Sequence, residues 1–290
     1  MDGIINIYKP EGISSFDVVR NIRKLSGIKK VGHTGTLDPM AKGVLPICLG
    51  KSTKIVDYIM KDFKIYKAVL KLGEVSDTYD REGKIIQSSK VDVDENEIIS
   101  VINSFIGEID QVPPMYSALK VNGKRLYELA RQGIEIERQS RKINIYDIII
   151  EEINIPYVTF EVKCSKGTYI RSLCYDIGEK LNCGALMWDL ERVATGKFTK
   201  ENAIRLEDLS TDNLEKNLIP MDKALHMYDK IYFEEDAEKL LVNGVNIKDK
   251  TFIADIKTDI IYRVYLKNDK FIGLGMKNEF GFKIIKLLLV

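Results

Sequence analysis

GHTGTLDPMAKGVLPICLGKSTK, residues 32–54, is the stretch that decides how this chain is read. Asp38 stands directly before Pro39, and the residue before a proline is pushed out of helical geometry. Gly32, Gly35 and Gly43 permit positive φ and close backbone approach. The stretch therefore predicts a rigid, irregular loop presenting one carboxylate, Asp38, and one imidazole, His33. An acid standing alone in a loop with so few charges is a candidate reactive group; the plain alternative is an Asp-Pro turn.

Outward from that loop, local signals fix several elements. Ile4, Ile5, Ile7 and Tyr8 lead into the turn Lys9-Pro10-Glu11-Gly12, as a strand would. Ser14 and Asp17 have capping-box spacing and predict a helix running to Ser26 and stopping at Gly27. In Ile65–Gly73, Tyr66, Ala68, Leu70 and Leu72 alternate with Lys67, Val69 and Lys71, the period of a half-buried strand. The polar loop Glu74–Lys84 carries Asp77, Asp80 and Arg81, and residues 94–106 place Ile98, Ile102 and Phe105 on one helical stripe. A second strand-to-helix unit starts near Tyr157 and turns at Ser165–Tyr169. Arg171 falls in the first turn of its helix, where the dipole is already positive; a nearby carboxylate would compensate. From Tyr232 onward FIADI, YRVYLK, FIGLGM and FKIIKLLLV read as a small β unit of short strands.

Composition bounds the function. The 290 residues are 45% apolar and 30% charged, typical of a soluble globular chain with one large domain, or a large and a small one. No apolar run approaches the roughly 20 residues that span a bilayer, and MDGIINIYKP lacks the pattern of a secretory signal, so we expect no membrane association and a cytoplasmic location. Cys48, Cys164, Cys174 and Cys183 form no CxxC pair, and the two histidines, His33 and His226, have no ligand spacing; neither a disulfide framework nor a zinc site is expected. Net charge is +1, but it is unevenly spread. Residues 1–54 carry nine Lys/Arg against four Asp/Glu, and residues 115–142 seven against three, as a phosphate-facing surface would. Gly50-Lys51-Ser52 mimics the end of a phosphate-binding loop. However, Leu45 occupies the position of the required glycine, Gly43 lies two residues too early, and the reading gives no long apolar strand leading in.

Four ordered blocks across roughly the first 195 residues resemble the TruB-type tRNA pseudouridine-55 synthases. Residues 32–54 look like that family's signature. KPEGISSFDVV is similar to its N-terminal motif, with Ser14 where Thr is usual. QVPPMYSALKVNGKRLYELARQG, Gln111–Gly133, resembles its RNA-gripping insertion, and KGTYIRSL, Lys166–Leu173, its third active-site motif. The resemblance implies an α+β fold with a mixed, largely antiparallel central sheet and flanking helices. A catalytic domain would span 1–225, with an RNA-clamping insertion at about 111–140, and a small β-rich PUA-like RNA-binding domain 226–290. It implies an isomerase that converts the T-loop uridine (position 55) of tRNA to pseudouridine, without cofactor or metal. Asp38 matches the catalytic carboxylate and Arg171 its basic partner. Tyr66 matches the base-stacking tyrosine; His33, Tyr169 and Leu190 match further substrate contacts. Asp80 is given no catalytic role. Lys120, Lys124, Arg125 and Arg131 would hold RNA phosphates, which positions RNA without reading its bases.

The chemistry accounts for these residue types. Pseudouridine formation breaks an N-glycosidic bond, turns the freed uracil and forms a carbon–carbon bond to the same sugar, so nothing enters or leaves overall. A carboxylate in an apolar pocket resists ionisation, whereas a guanidinium within about 4–6 Å favours the charged form and fixes its aim. The base must be flipped out of its stack and held, for which an aromatic face is suited. Two other classes compete with this reading: a non-catalytic RNA-binding or tRNA-folding protein, and an aspartyl-phosphate enzyme, which needs Mg²⁺ ligands that residues 32–54 do not supply. The expected partner is the T-arm of tRNA, with no obligate protein partner and a monomeric state.

Overall fold

The computed structural model describes residues 1–121 and 123–289. β1 (Gly3–Lys9) turns into α1 (Ser15–Ser26) as read. The Ser14 hydroxyl accepts the Asp17 N–H while the Asp17 carboxylate accepts the Ser14 N–H, and Gly27 ends the helix at φ 67°, the left-handed conformation glycine adopts most readily. β2 (Val31–His33) then enters the decisive stretch. Only 34–41 is irregular, because Lys42–Leu49 forms β3, buried from Gly43 onward. The expectation of a loop throughout fails there: a strand buried on both faces shows no alternation, and Pro46 reads as a breaker. An apolar strand therefore does lead into Gly50-Lys51-Ser52. Leu45 still replaces the glycine, and the Ser52 hydroxyl is spent on the Gly3 and Leu49 carbonyls at 2.6 Å each.

After the short α2 (Val56–Ile59) comes β4 (Lys64–Leu72), with the predicted alternation. The polar loop closes as a hairpin of β5 (Glu74–Ser76) and β6 (Ile85–Ser88). Next are α3 (Glu95–Asn103) and β7 (Gly107–Gln111). The insertion follows as a two-residue ribbon, β8 (Lys120–Val121) and β9 (Lys124–Arg125), then α4 (Leu126–Ala130). The chain returns through β10 (Arg141–Asn154), β11 (Tyr157–Cys164) and α5 (Ile170–Lys180) to β12 (Ala185–Thr195), β13 (Phe198–Thr199) and β14 (Ile204–Arg205).

These strands build one mixed sheet in the order β14-β1-β3-β12-β4-β11-β10-β7, with β2 beside β3 and β13 beside β12. Only the β1–β14 and β3–β12 pairings are parallel. One face carries the main core, where Val18, Val19 and Ile22 of α1, Ile98 and Ile102 of α3, and Leu173 and Ile177 of α5 meet Ala68, Leu70, Phe160 and Val162. The sheet is interrupted in its middle. β12 covers only Lys42 and Gly43 of β3, and β2 covers Ile47–Leu49, so Val44–Pro46 face a gap between these two partners. Loop 34–41 starts and ends beside that gap.

The C-terminal sheet has the order β15 (Lys230–Phe233), β16 (Ile261–Leu266), β17 (Phe271–Asn278), β18 (Gly281–Leu287). Between β15 and β16 lie α7 (Glu238–Val242) and α8 (Lys250–Ile253), following α6 (Met221–Ala224). Phe252 and Ile253 of the expected FIADI strand thus belong to a helix. Leu274 and Leu288 of this unit share a core with Ile4, Val44 and Cys48 on the other face of the main sheet. Among the described residues, no helix is long and apolar enough to cross a membrane.

Candidate active site

Asp38 occupies the irregular loop between β2 and β3, and its neighbours on both sides are clamped. The Ser15 hydroxyl donates to the Leu37 carbonyl at 3.0 Å and accepts the Leu37 N–H at 2.8 Å. On the other side the Pro39 carbonyl accepts the Gly12 N–H at 2.8 Å and the Lys9 ammonium at 3.3 Å. Lys9 is fully buried and also bonds the Pro10 and Ile13 carbonyls. Burial pushes its pKa down to about 8, against the upward pull of Asp38. With both flanks held, the carboxylate is aimed by backbone rather than by its own rotamer.

Arg171 meets that carboxylate with two nitrogens, Nε at 3.0 Å from Oδ2 and Nη2 at 3.3 Å from Oδ1. The Arg171 side chain is 7% exposed and that of Asp38 33%, so the acid reaches solvent while its partner does not. The guanidinium also donates to the Tyr116 carbonyl at 2.8 Å and the Thr78 carbonyl at 3.2 Å. Its Nη1 stands 3.6 Å from Oδ2 of Asp80. Asp80, which the sequence reading left without a role, is therefore the second carboxylate of the cluster. Burial raises its pKa, although the Thr78 hydroxyl at 2.6 Å, the Arg171 charge and the Glu82 N–H oppose the shift. A polar loop residue gives no sign in sequence that it will be buried.

The other expected residues divide into two groups. Tyr66, on the inner face of β4, is buried; burial raises its pKa, and the Asp38 charge adds to the rise. Leu190 of β12 is buried beside it, paired with Ala68. Tyr169 precedes α5, and its backbone N–H and C=O are both bonded by the Gln111 side chain, at 2.8 and 3.0 Å. Its hydroxyl is also pushed up by burial and, to a lesser degree, by the Asp38 charge. His33 ends β2; its Nδ1 accepts the Gly35 N–H at 3.3 Å, and burial, helped by Arg192, lowers its pKa. Lys120, Lys124, Arg125 and Arg131 are not at the carboxylate. They are exposed on the insertion, where β8–β9 pairing sets Lys120 opposite Arg125, and Arg125 and Arg131 both lie over the Tyr127 ring at 5.8 and 5.6 Å.

One residue escaped the sequence reading altogether. Arg192 of β12 is fully buried. Its Nε donates to the Val44 carbonyl at 2.6 Å and its Nη2 to the Gly35 carbonyl at 3.1 Å, and its charge holds down the Tyr66 pKa against burial. It fills the gap in the β3 ladder and ties Gly35 of the Asp38 loop to β3 and β12. None of the ion pairs found among the described residues gives it a carboxylate partner. Taken together, the site offers a solvent-reaching acid held by Arg171, the Tyr66 and Tyr169 rings within its field, and the buried cation Lys9 nearby. Among the described residues no group of three or more His, Cys, Asp or Glu side chains could hold a metal ion.

A family model described as TruB family pseudouridylate synthase (N terminal domain) matches residues 23–170, over half of the chain. This chain belongs to the TruB family. A second model, described as tRNA pseudouridylate synthase B C-terminal domain, matches residues 171–226 and ends before β15. The curated tRNA pseudouridine synthase B of Clostridium novyi (strain NT) is 62% identical over 289 residues, covering 100% of both chains. That of Alkaliphilus oremlandii (strain OhILAs) is 47% identical over 296 residues, covering 99% of each. Among solved structures, a chain in the crystal structure of a Cbf5-Nop10-Gar1 complex matches with TM-score 0.75 and 32% identity, over 95% of this chain and 78% of that one. TruB membership and this likeness agree with the expected fold class, a mixed, largely antiparallel sheet with flanking helices and a small β unit at the C-terminus.

Proposed function

We propose that this chain is a tRNA pseudouridine synthase that isomerises the T-loop uridine at position 55, with Asp38 as the catalytic carboxylate and no cofactor. The observation that carries this is the two-point contact between Arg171 and a solvent-reaching Asp38, set among Tyr66, Tyr169 and Leu190 in a chain of the TruB family. The flipped uridine enters where Asp38 is open. Tyr66 stacks on the base, and His33, Tyr169 and Leu190 complete its surroundings. Arg171 aims the acid through its two-nitrogen contact, and Lys120, Lys124, Arg125 and Arg131 hold backbone phosphates of the T-arm. Residues 1–225 form the catalytic domain, with the clamp at about 111–140, and 226–290 a PUA-like RNA-binding domain. The protein acts as a monomer in the cytoplasm without an obligate protein partner.

The test is incubation with an unmodified tRNA transcript, with pseudouridines mapped at nucleotide resolution. Product at the T-loop uridine is expected with wild-type protein. Asp38→Asn should bind the transcript as tightly and give no product. If that variant modified tRNA at the normal rate, the role given to Asp38 would be wrong. Binding without product by the wild type would favour a tRNA-folding protein instead.

A further inference from the structure

We propose that the outer face of α1 is a second RNA-contact surface, on which Phe16 stacks a base neighbouring the flipped uridine while Arg20 and Arg23 engage its phosphates. The proposal rests on the RNA reading above but concerns residues to which that reading gives no role. Val18, Val19 and Ile22 bury one side of α1, and Phe16 lies off that side, 54% exposed, the only large hydrophobic side chain of the helix left so open. The guanidinium carbons of Arg20 and Arg23 stand 5.7 and 5.6 Å from its ring centroid, within cation–π range. Two cations flanking an uncovered ring form the combination with which proteins hold single-stranded nucleic acid: a π face for a base and positive charge for its backbone.

Three further observations point the same way. From Val18 to Leu37 the chain carries Arg20, Arg23, Lys24, Lys29 and Lys30 and no Asp or Glu, so the local field favours a polyanion over an acidic or apolar protein surface. Arg20 is tied to Asp17, but that pair is exposed, the arginine 66%; exposed pairs are weak, and a phosphate can replace the carboxylate. Arg23 spends Nη2 on the Val31 carbonyl at 3.1 Å, while among the described residues its Nε has no hydrogen-bond partner.

Position completes the case. Ser15, the neighbour of Phe16, bonds both polar backbone groups of Leu37, the residue before Asp38. Phe16 thus follows directly on the residue that clamps the Asp38 loop, and a nucleotide adjoining the flipped one would meet its ring. The insertion leaves the sheet from β7, at the far end from β1 and β14. The two basic surfaces therefore flank the pocket from opposite ends of the sheet, and one RNA loop can touch both.

The experiment uses the full chain and a T-arm stem-loop RNA carrying the target uridine, with Kd measured by fluorescence anisotropy and kcat and KM from the rate of pseudouridine formation. Phe16→Ala should raise Kd and KM about tenfold with kcat within twofold, and Phe16→Trp should bind within twofold of wild type. Replacing Arg20 and Arg23 together by Gln should reduce the slope of log Kd against log salt by about 1.5. Circular dichroism melts should match wild type for the Phe16 variants, since the ring is open to solvent. Wild-type Kd and salt slope in both sets of variants would overturn the proposal. Because Kd is read without product, a wild-type protein that binds the RNA but forms no pseudouridine would count against the function proposed above and leave this surface to be judged by Kd.

Discussion

Arg171 grips two carboxylates at unequal distances, 3.0 Å to Asp38 and 3.6 Å to Asp80, and burial already disfavours charge on Asp80. Its pull is therefore spent chiefly on Asp38. Among the described residues Arg192 has no carboxylate partner and is held by backbone carbonyls. A buried guanidinium without a counter-charge costs several kcal/mol of desolvation, which the fold offsets by using it as a cross-link. Arg192→Met should remove donors from two buried carbonyls, lowering stability by about 3 kcal/mol in a denaturant titration and cutting kcat more than it raises KM. Asp176 gives a pH-dependent expectation. Burial, with Glu179 nearby, pushes its carboxyl up to about 6 from 3.8, so the folded chain binds that proton more tightly than the unfolded one. The stability linked to this proton is present below about pH 4 and is lost as pH rises through about 6. Asp176→Asn should accordingly raise the melting temperature at pH 8 and leave it unchanged at pH 4.

At the scale of elements, the close approach of β3 and β12 rests on Gly43. Its φ is 115°, and a Cβ there would lie 2.3 Å from the Arg192 carbonyl oxygen. Gly43→Ala should cost about 2 kcal/mol or more and pull Arg192 off the Asp38 loop, so a denaturation midpoint and kcat should fall together. Gln111 plays a comparable part for the insertion, clasping Tyr169 through both amide atoms. Gln111→Leu should leave two backbone groups unpaired at the start of α5 and raise KM, measured with the stem-loop RNA. These elements also mark what the sequence discloses. α1 was legible because Ser14, Asp17 and Gly27 supply start and stop chemistry within the segment itself, and β4 because alternating residues face core and solvent. β3 lies near the middle of the sheet, where burial on both faces erases the period that distinguishes a strand, whereas β12 alternates but puts Arg192, a residue type expected to face solvent, at a buried position. FIADI read as a strand because five residues are too few to separate one turn of helix from a strand by period alone.

For the molecule as a whole, Leu274 and Leu288 share a core with Ile4, Val44 and Phe198, so the C-terminal sheet supports the main one from behind. A chain ending at residue 229 should expose that core, and its melting temperature should drop by several degrees even though every residue around Asp38 is retained; differential scanning calorimetry checks this. The site was legible only in part for a related reason. Asp38, Tyr66 and Arg171 lie in motifs with distinctive local sequence, whereas Arg192 and Asp80 act through burial, which a tertiary structure confers and a short motif does not encode. The meeting of Asp38 with a guanidinium 133 positions later, through a strand inserted between β3 and β4, bears on biosynthesis. A nascent polypeptide has its acid early, but neither the partner that holds it nor the strand that closes the gap exists until residue 195 has emerged from the ribosome. Products terminated before residue 195 are thus expected to be catalytically inert, and chemistry begins only once about two-thirds of the chain has been made.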